Sequence, residues 1–250
     1  MNNETELLGK RFIDLSRQAN RKGIVIFSDF LNLNEQNILD SVKKELETSY
    51  ELFGGYEMAE RRVAAFLPAD LSYDWTYPIS CLKLEPAYPK FAEVLTHRDI
   101  LGSVMNLGLE RGKIGDILCE QNRFYLFCKD NITQYLTDSL SRVKHTVMRL
   151  ESVSEPATEI VHCFVEKSGI ISSNRMDNVI ACFCNCSRSE AVKLIMGGKV
   201  FVNGKEILHN TYLCKAGDIL SVRSYGKYIF DGISGETKKG RIKISYRIYS

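Results

Sequence analysis

The sequence lacks a run of about 18 apolar residues, the length that a membrane-spanning helix needs, so we expect no membrane span. Its N-terminus, MNNETELLGKRF, carries acidic residues and no apolar stretch of the kind found in secretory signals. Because no such signal is present, we expect the eight scattered cysteines to be reduced thiols in the cytoplasm rather than disulfides. With 250 residues, 44% of them apolar, the chain can form one large globular domain or two to three small ones.

Several enzyme signatures are missing as well. His97-Arg98-Asp99 looks like a kinase catalytic loop, but the asparagine that should follow, a D-F-G string and a glycine-rich phosphate loop are all absent. The glycines near Lys113 do not have P-loop spacing, and Ile114 stands where that loop needs Ser or Thr. No glycine-rich nucleotide loop of a methyltransferase follows a strand. We therefore expect a protein that is not an enzyme and uses no cofactor.

The string Cys182, Cys184 and Cys186 could be read as part of a metal site. Structural zinc usually has two ligand pairs, with two to four residues between the members of each pair. This string falls across the end of a predicted helix, no second cysteine cluster exists, and the four histidines form no ligand motif. We therefore favour small buried thiols over a metal.

Charge is unevenly distributed along the chain. Residues 172–250 contain 13 Lys and Arg against six Asp and Glu, a net charge of +7, whereas the remainder has 20 bases and 25 acids, a net charge of −5. A basic segment joined to an acidic body suggests that the C-terminal part meets a polyanion. A solvated lysine surface would explain the same count.

Apolar spacing and turn residues predict an α+β protein with three parts. Residues 1–75 are predicted to form an N-terminal α+β domain, with a helix from Glu4 to Asn20, a strand at 24–27, a second helix capped by Asn34, and a strand at 63–67. Residues 76–155 show the order β-α-β-β-α-β of a ferredoxin-like, RNA-recognition-like middle domain, which also occurs in many enzymes. Its elements are predicted at 79–86, 92–107, 114–120, 123–129, from Asn131 or Thr133 to about Ser141, and at 145–152. We expect a linker at 152–160, and Trp75 and Tyr77 to pack between the first two domains.

Residues 172–250 are predicted to form a small module of two helices and a hairpin sheet. One helix covers 174–183, and a second begins at Ser187, which with Glu190 has the spacing of a capping box. Gly197-Gly198 ends that helix. The strand KVFV then leads into Asn203-Gly204, a strong hairpin signal, and the strand ILSVR follows the turn at 216–218.

The start of the second helix is a candidate phosphate site, because its free amides lie beside Arg188. Basic residues of the adjoining strands and turns are Lys199, Lys205, Arg223 and Lys227. If they share a face with Arg175 and Arg188, they form a curved basic stripe that follows a phosphate backbone by charge and shape.

The string RMD…SRSEAVKLIMGGKVFVNG…AGDILSV resembles the small RNA-binding module of ribosomal protein uS-four, of tyrosyl-tRNA synthetases, of many pseudouridine synthases and of a ribosome-binding heat-shock protein. The likeness implies that the helices and hairpin grip structured RNA. It implies RNA-facing or site-shaping roles for Arg175, Ser187, Arg188, Lys199, Asn203 and Lys205. Other readings remain open: Ser187 as a helix cap, Asn203 as a turn residue, and Asp177 as an internal salt-bridge partner.

Upstream, FSDFLN (27–32), FGGYEMAERR (53–62) and THRDILGSVMNLGLERGKIGDIL (96–118) resemble the YlmH-type family of bacterial cytoplasmic proteins. The likeness implies ribosome-associated quality control. Members bind the large subunit blocked by peptidyl-tRNA, contact rRNA and tRNA, and support C-terminal tailing with a partner of the NEMF/Rqc class. It implies middle-domain contacts or packing roles for His97, Arg98 and Arg111. Two alternatives stay open: an RNA-modifying enzyme of the pseudouridine synthase kind, and an interaction protein for cell-division or translation factors.

Overall fold

A computed structural model describes residues 3–120, 122–154, 164–238 and 240–249 of this mixed α/β protein. The chain divides into two compact units, Met1–Val161 and His162–Ser250. The first unit contains α1 Asn3–Lys22, β1 Ile26–Leu31, α2 Leu33–Ser41, β2 Ser49–Phe53, β3 Arg62–Leu67, β4 Ile79–Pro86, α3 His97–Met105, β5 Ile114–Glu120, β6 Arg123–Lys129, α4 Thr133–Ser139, β7 Arg142–Val143 and β8 Thr146–Val153. The second contains β9 Phe164–Ile171, α5 Met176–Phe183, α6 Arg188–Met196, β10 Val200–Val202, β11 Lys205–Glu206, β12 Asp218–Val222, β13 Gly226–Glu236 and β14 Ile242–Tyr249.

The N-terminal part of the first unit is an antiparallel sheet, β1-β3-β2, packed against α1 and α2. Phe12 of α1, Leu39 of α2 and Phe66 of β3 are buried together in its core. The second helix begins after Asn32 rather than the predicted Asn34. Asn32 forms a complete capping box with Glu35, which satisfies two backbone amides at once.

The middle part is an antiparallel sheet of order β5-β6-β4-β8-β7. The predicted bounds of β4, β5 and β6 agree with the structure. The predicted helix at 92–107 was too long, because α3 begins at His97. Thr96 and Asp99 form a capping box there, and the segment before it does not continue the helix.

The two faces of this middle sheet are covered by different elements. On one face, Leu82 and Leu126 pack with Ile100 and Val104 of α3 and with Leu136 of α4. Side chains alternate between the two faces of a sheet, so the residues next to Leu82 and Leu126 in sequence point to the opposite face.

On the other face, Cys81, Tyr125 and Phe127 pack against Phe30 and Val63 of the N-terminal part. Tyr125 is 4% exposed and Phe127 is 1% exposed. RNA-recognition folds stack bases on aromatic side chains of the open sheet face. That face of the middle sheet is buried here, so RNA cannot reach its aromatic side chains in this conformation.

Two aromatic residues between the parts also pack as predicted. The rings of Trp75 and Tyr77 each lie 5.8 Å, centroid to centroid, from the ring of Phe27, and Tyr77 lies 5.2 Å from Phe53. These contacts, with the cluster around Phe127, make the N-terminal and middle parts one compact unit.

Lys129, at the end of β6, is a buried cation in this unit. Its side chain donates to the Ser28 carbonyl at 3.1 Å and lies 5.7 Å from the centre of the Phe27 ring. Burial lowers the pKa of Lys129 to about 8, and nearby Lys113 lowers it further, while Asp29 and Asp130 act in the opposite direction. Its charged form is therefore disfavoured by folding.

We expect Lys129→Met to stabilise the first unit by on the order of 2 kcal/mol at pH 7. Between about pH 8 and pH 10.5 the unfolded chain binds more protons at Lys129 than the folded chain, so the wild type gains stability as the pH rises. The advantage of methionine should therefore shrink over that range. Urea unfolding followed by the fluorescence of Trp75, the single tryptophan, reports on this unit. An advantage that is equal at pH 7 and pH 10 would contradict the assignment, and Lys44→Met, at an exposed lysine of the same unit, is the control.

The second unit is a six-stranded antiparallel sheet of order β11-β10-β12-β13-β14-β9, with α5 and α6 on one face. Phe183 of α5 stacks between Tyr228 and Tyr246, at centroid distances of 5.0 and 4.3 Å. β9 pairs with β14 over eight residues, although it precedes the predicted module at 172–250. Residues 155–160 of the predicted linker lie outside the described residues, and 152 and 153 end β8. In the described parts of the chain, no helix is long and apolar enough to cross a membrane.

Candidate nucleic-acid-binding surface

Asp177 organises the start of the two helices in the second unit. Its side chain is 1% exposed and accepts from the Arg188 guanidinium at 2.8 Å and from Arg175 Nε at 3.4 Å. The two arginines remain 36% and 57% exposed. The buried carboxylate therefore fixes two half-exposed guanidinium groups, which we call the arginine pair. The predicted salt-bridge role of Asp177 is confirmed, and Arg188, predicted to be exposed beside the first turn of α6, is both paired with Asp177 and half-exposed.

Ser187 caps α6, as the helix signal predicted. Its hydroxyl oxygen accepts from the Glu190 amide at 3.2 Å. The reciprocal half of the capping box is replaced by another contact, because the Glu190 carboxylate accepts from the Tyr225 hydroxyl at 3.0 Å. Tyr225 belongs to the turn between β12 and β13, so this bond ties that turn to the start of α6.

A second set of basic side chains lies on the face of the sheet opposite the helices. Val200 and Val222 are directly opposed across β10 and β12 and point into the core, and the Arg223 amide donates to the Lys199 carbonyl at 2.9 Å. Strand alternation therefore places the Lys199 and Arg223 side chains together on the outer face. Both are exposed.

Aromatic rings support the charges on this outer face. The Arg223 guanidinium lies 5.0 Å from the centre of the Phe201 ring, and Lys227 Nζ lies 5.0 Å from that of Tyr249. Such cation–π contacts position a cation while leaving its outward side open to an anion. We call these five residues, Lys199, Phe201, Arg223, Lys227 and Tyr249, the basic sheet face.

The predicted single stripe is therefore divided into two groups. The arginine pair belongs to the helical layer, whereas Lys199, Arg223 and Lys227 lie across the sheet. The Tyr225–Glu190 bond joins the helical layer to the turn beside Arg223. A ligand that touches both groups must pass around this turn, which suits a curved phosphate backbone better than a small molecule.

Asn203 has an internal role. Its backbone φ of +49° and that of Gly204, +77°, form the tight turn between β10 and β11. Its amide donates to Asp218 Oδ1 at 2.9 Å, and its carbonyl oxygen accepts from the Ile219 amide at 2.9 Å. The turn reading of Asn203 therefore fits better than an RNA contact, whereas Lys205, two residues on, is exposed.

The three middle-domain candidates do not form a common site. His97 and Arg98 are exposed at the start of α3. The Arg111 guanidinium instead donates to the carbonyls of Ile114 and Gly115 at 2.6 and 3.2 Å, and burial lowers its pKa to about 10. The Arg111 side chain therefore braces the start of β5.

The cysteines of the C-x-C-x-C string are partly buried between α5 and the sheet. Burial raises the pKa of the Cys184 thiol to about 12 and also raises the pKa values of Cys182 and Cys186. The thiolate that binds metal is therefore disfavoured. Within the described ranges, no group of three His, Cys, Asp or Glu residues is placed to hold a metal ion.

An arginine pair beside a basic hairpin sheet is the arrangement of a small RNA-binding module, and residues 175–220 match the family model of the S4 domain. Residues 76–156 match a second family model, described as “Putative RNA-binding domain in YlmH”. Together these matches support the YlmH-type family of RNA-binding proteins as the family of this chain.

The similar proteins agree with this placement. The chain is 29% identical over 221 residues to “Ribosome-associated protein quality control protein P2” of Bacillus subtilis (strain 168), covering 88% of this chain and 85% of that protein. The solved structure titled “Cell division protein ylmH from Streptococcus pneumoniae” is similar in fold, with a TM-score of 0.52 and 21% identity. That likeness covers 64% of this chain and 96% of the other.

Proposed function

We propose that this protein binds structured ribosomal RNA through the arginine pair and the basic sheet face. The observation that carries the proposal is the geometry of the S4-like segment, where a buried carboxylate and aromatic rings fix four exposed or half-exposed cations. Fixed cations lose little conformational entropy when they meet phosphates. Recognition is then by charge and shape, with little reading of base sequence.

We further propose that the target is the large subunit blocked by peptidyl-tRNA, with contacts to rRNA and to the P-site tRNA. There the protein would support C-terminal tailing of the stalled chain in the cytoplasm, together with a factor of the NEMF/Rqc class. Two observations support this: the name of the Bacillus relative, and the likeness of the upstream motifs to the YlmH-type family.

We propose that the protein acts by binding rather than by catalysis. In pseudouridine synthases the catalytic aspartate belongs to an R-L-D string, which Arg175-Met176-Asp177 resembles. Here the Asp177 carboxylate is buried and accepts from two arginines, so it is poorly placed to attack a base. Mass spectrometry of rRNA and tRNA from a deletion strain should show no lost modification, and a lost pseudouridine would favour the enzyme.

The strand order of the first unit supports a ferredoxin-like classification of its middle domain. The sheet order β5-β6-β4-β8, with all neighbours antiparallel, is the order of a ferredoxin-like fold, so we propose that classification for the middle domain. We likewise propose domains at 1–75, 76–155 and 172–250, with β9 added to the last of them as an edge strand of its sheet. The sheet face of the middle domain then serves to pack against the N-terminal part.

Purified large subunits with and without bound peptidyl-tRNA test the proposed target. We expect the full chain to co-sediment at least about tenfold more tightly with the obstructed subunits, since they add the tRNA phosphates to the binding surface. The 30S subunit is the control for general RNA affinity. Equal binding to all three particles would contradict the proposed target.

A further inference from the structure

We infer that the segment Tyr88–Val94 of the first unit is a stacking site for single-stranded RNA. This inference rests on the proposed RNA binding and adds an RNA contact separate from the arginine pair and the basic sheet face. The segment leads from β4 towards α3 and contains a 3₁₀ turn, Pro89–Phe91.

Its large apolar side chains point into solvent. Phe91 is 87% exposed, Val94 is 86% exposed and Tyr88 is 67% exposed. Large apolar side chains held together in water usually mark a binding surface. Two aromatic rings within four residues, Tyr88 and Phe91, offer flat faces on which bases stack.

The backbone of the segment is held in place at both ends. The Ala87 amide donates to the Val147 carbonyl at 2.9 Å, and the Leu95 amide donates to the Asn122 side chain at 3.1 Å. Asn122 in turn donates to the Glu93 carbonyl at 3.1 Å. Because the backbone is ordered before a ligand arrives, the rings are presented at a low entropic cost.

Basic groups in and just after the segment slightly outnumber the uncompensated acidic ones. Lys90 lies between the two aromatic residues, and Arg98 is exposed on the first turn of α3. Asp99, on the same turn, is paired with Lys144 at 2.8 Å, so its charge is compensated, and Glu93 is the remaining acidic group in the segment. Basic side chains interleaved with aromatic rings are the chemistry of single-strand binding.

The buried sheet face strengthens this inference. The aromatic residues that an RNA-recognition fold would offer on its sheet, Tyr125 and Phe127, are covered by the N-terminal part. A base that stacks on the middle domain must therefore use other rings, and those of Tyr88 and Phe91 are the most exposed aromatic rings of that domain among the described residues.

The test uses the full chain and a labelled oligouridine of about ten nucleotides, with binding measured by fluorescence anisotropy and contacts mapped by ultraviolet cross-linking. We expect Tyr88→Ala with Phe91→Ala to weaken binding on the order of tenfold or more. Phe91→Trp should bind within about twofold of the wild type, and Phe91→Leu should be as weak as Phe91→Ala. Cross-links should map to residues 88–91.

Several results would overturn the inference. Full binding by the double alanine variant would do so, and so would full binding by Phe91→Leu, because leucine serves an apolar protein contact equally well. A loss of large-subunit binding with unchanged oligouridine binding would assign the segment to a protein partner instead. If the segment variants bind normally while Lys199→Glu with Arg223→Glu does not, this inference fails and the proposed function stands.

Discussion

Replacing Lys199 and Arg223 with glutamate is expected to weaken binding of the full chain to large ribosomal subunits by about 100-fold near physiological salt. The two side chains lie opposite each other on the basic sheet face, so the change removes two phosphate contacts at one place and adds repulsion. The plot of log affinity against log salt should also become shallower by about two units of slope. Sedimentation at several salt concentrations measures both effects.

A matched variant separates this local effect from the net charge of the unit. Lys167 and Lys243 are exposed on β9 and β14 of the same sheet, away from the basic sheet face. Changing both to glutamate alters the net charge equally and should reduce affinity only a few fold. Equal losses for the two pairs would show that overall charge, rather than this face, drives binding.

Removing Arg188 is expected to destabilise α5 and α6 more than removing its partner does. Arg188→Ala leaves the buried Asp177 with the Asn178 amide and the longer contact to Arg175, and removing one partner of a buried ion pair costs about 3 kcal/mol or more. Asp177→Ala leaves two arginines that are already half-exposed and can be hydrated. The double alanine variant should therefore be more stable than Arg188→Ala alone.

Hydrogen exchange measured by mass spectrometry follows α5 and α6 within the full chain, so the other unit does not confuse the result. We expect faster exchange of both helices in Arg188→Ala and partial recovery in the double variant. Additive effects of the two changes would mean that the carboxylate and the guanidinium do not depend on each other.

The pairing of Arg188 with Asp177 also decides which variants can test the RNA contact. Arg188→Glu would place a second carboxylate against Asp177, so a loss of ribosome binding in that variant could come from a damaged fold. The pair Lys199 and Arg223 avoids the difficulty, because both are exposed at strand ends, Lys199 just before β10 and Arg223 just after β12.

The sequence predicted β4, β5 and β6 well because their boundaries are local. β4 ends at Pro86, and a tight turn through Asn122, with φ +68°, separates β5 from β6. The start of α3 was misplaced because apolar residues continue upstream to Val94. That side chain is exposed, and the capping box at Thr96 sets the start instead.

Contacts between distant residues could not be predicted. Nothing in the sequence near Tyr125 and Phe127 shows that Phe30 and Val63 cover them. β9 and β14 pair over eight residues although about seventy residues of chain separate them.

The sequence predicted which basic residues form the candidate surface, but not how their side chains are arranged. The basic residues were found, yet the division into an arginine pair and a basic sheet face depends on Asp177 and on strand register. Sequence reasoning missed Phe201 and Tyr249 as supports for Arg223 and Lys227. The alternation of Lys199 with Phe201 around buried Val200 was a signal that could have shown the first of them.

The most direct test of the central claim is a cryo-EM reconstruction of the full chain bound to the obstructed large subunit. We predict that Arg175 and Arg188 on the helical side, and Lys199, Arg223 and Lys227 on the sheet side, lie within hydrogen-bonding distance of RNA phosphates. A complex in which residues 175–227 face solvent or touch only ribosomal proteins would contradict the account.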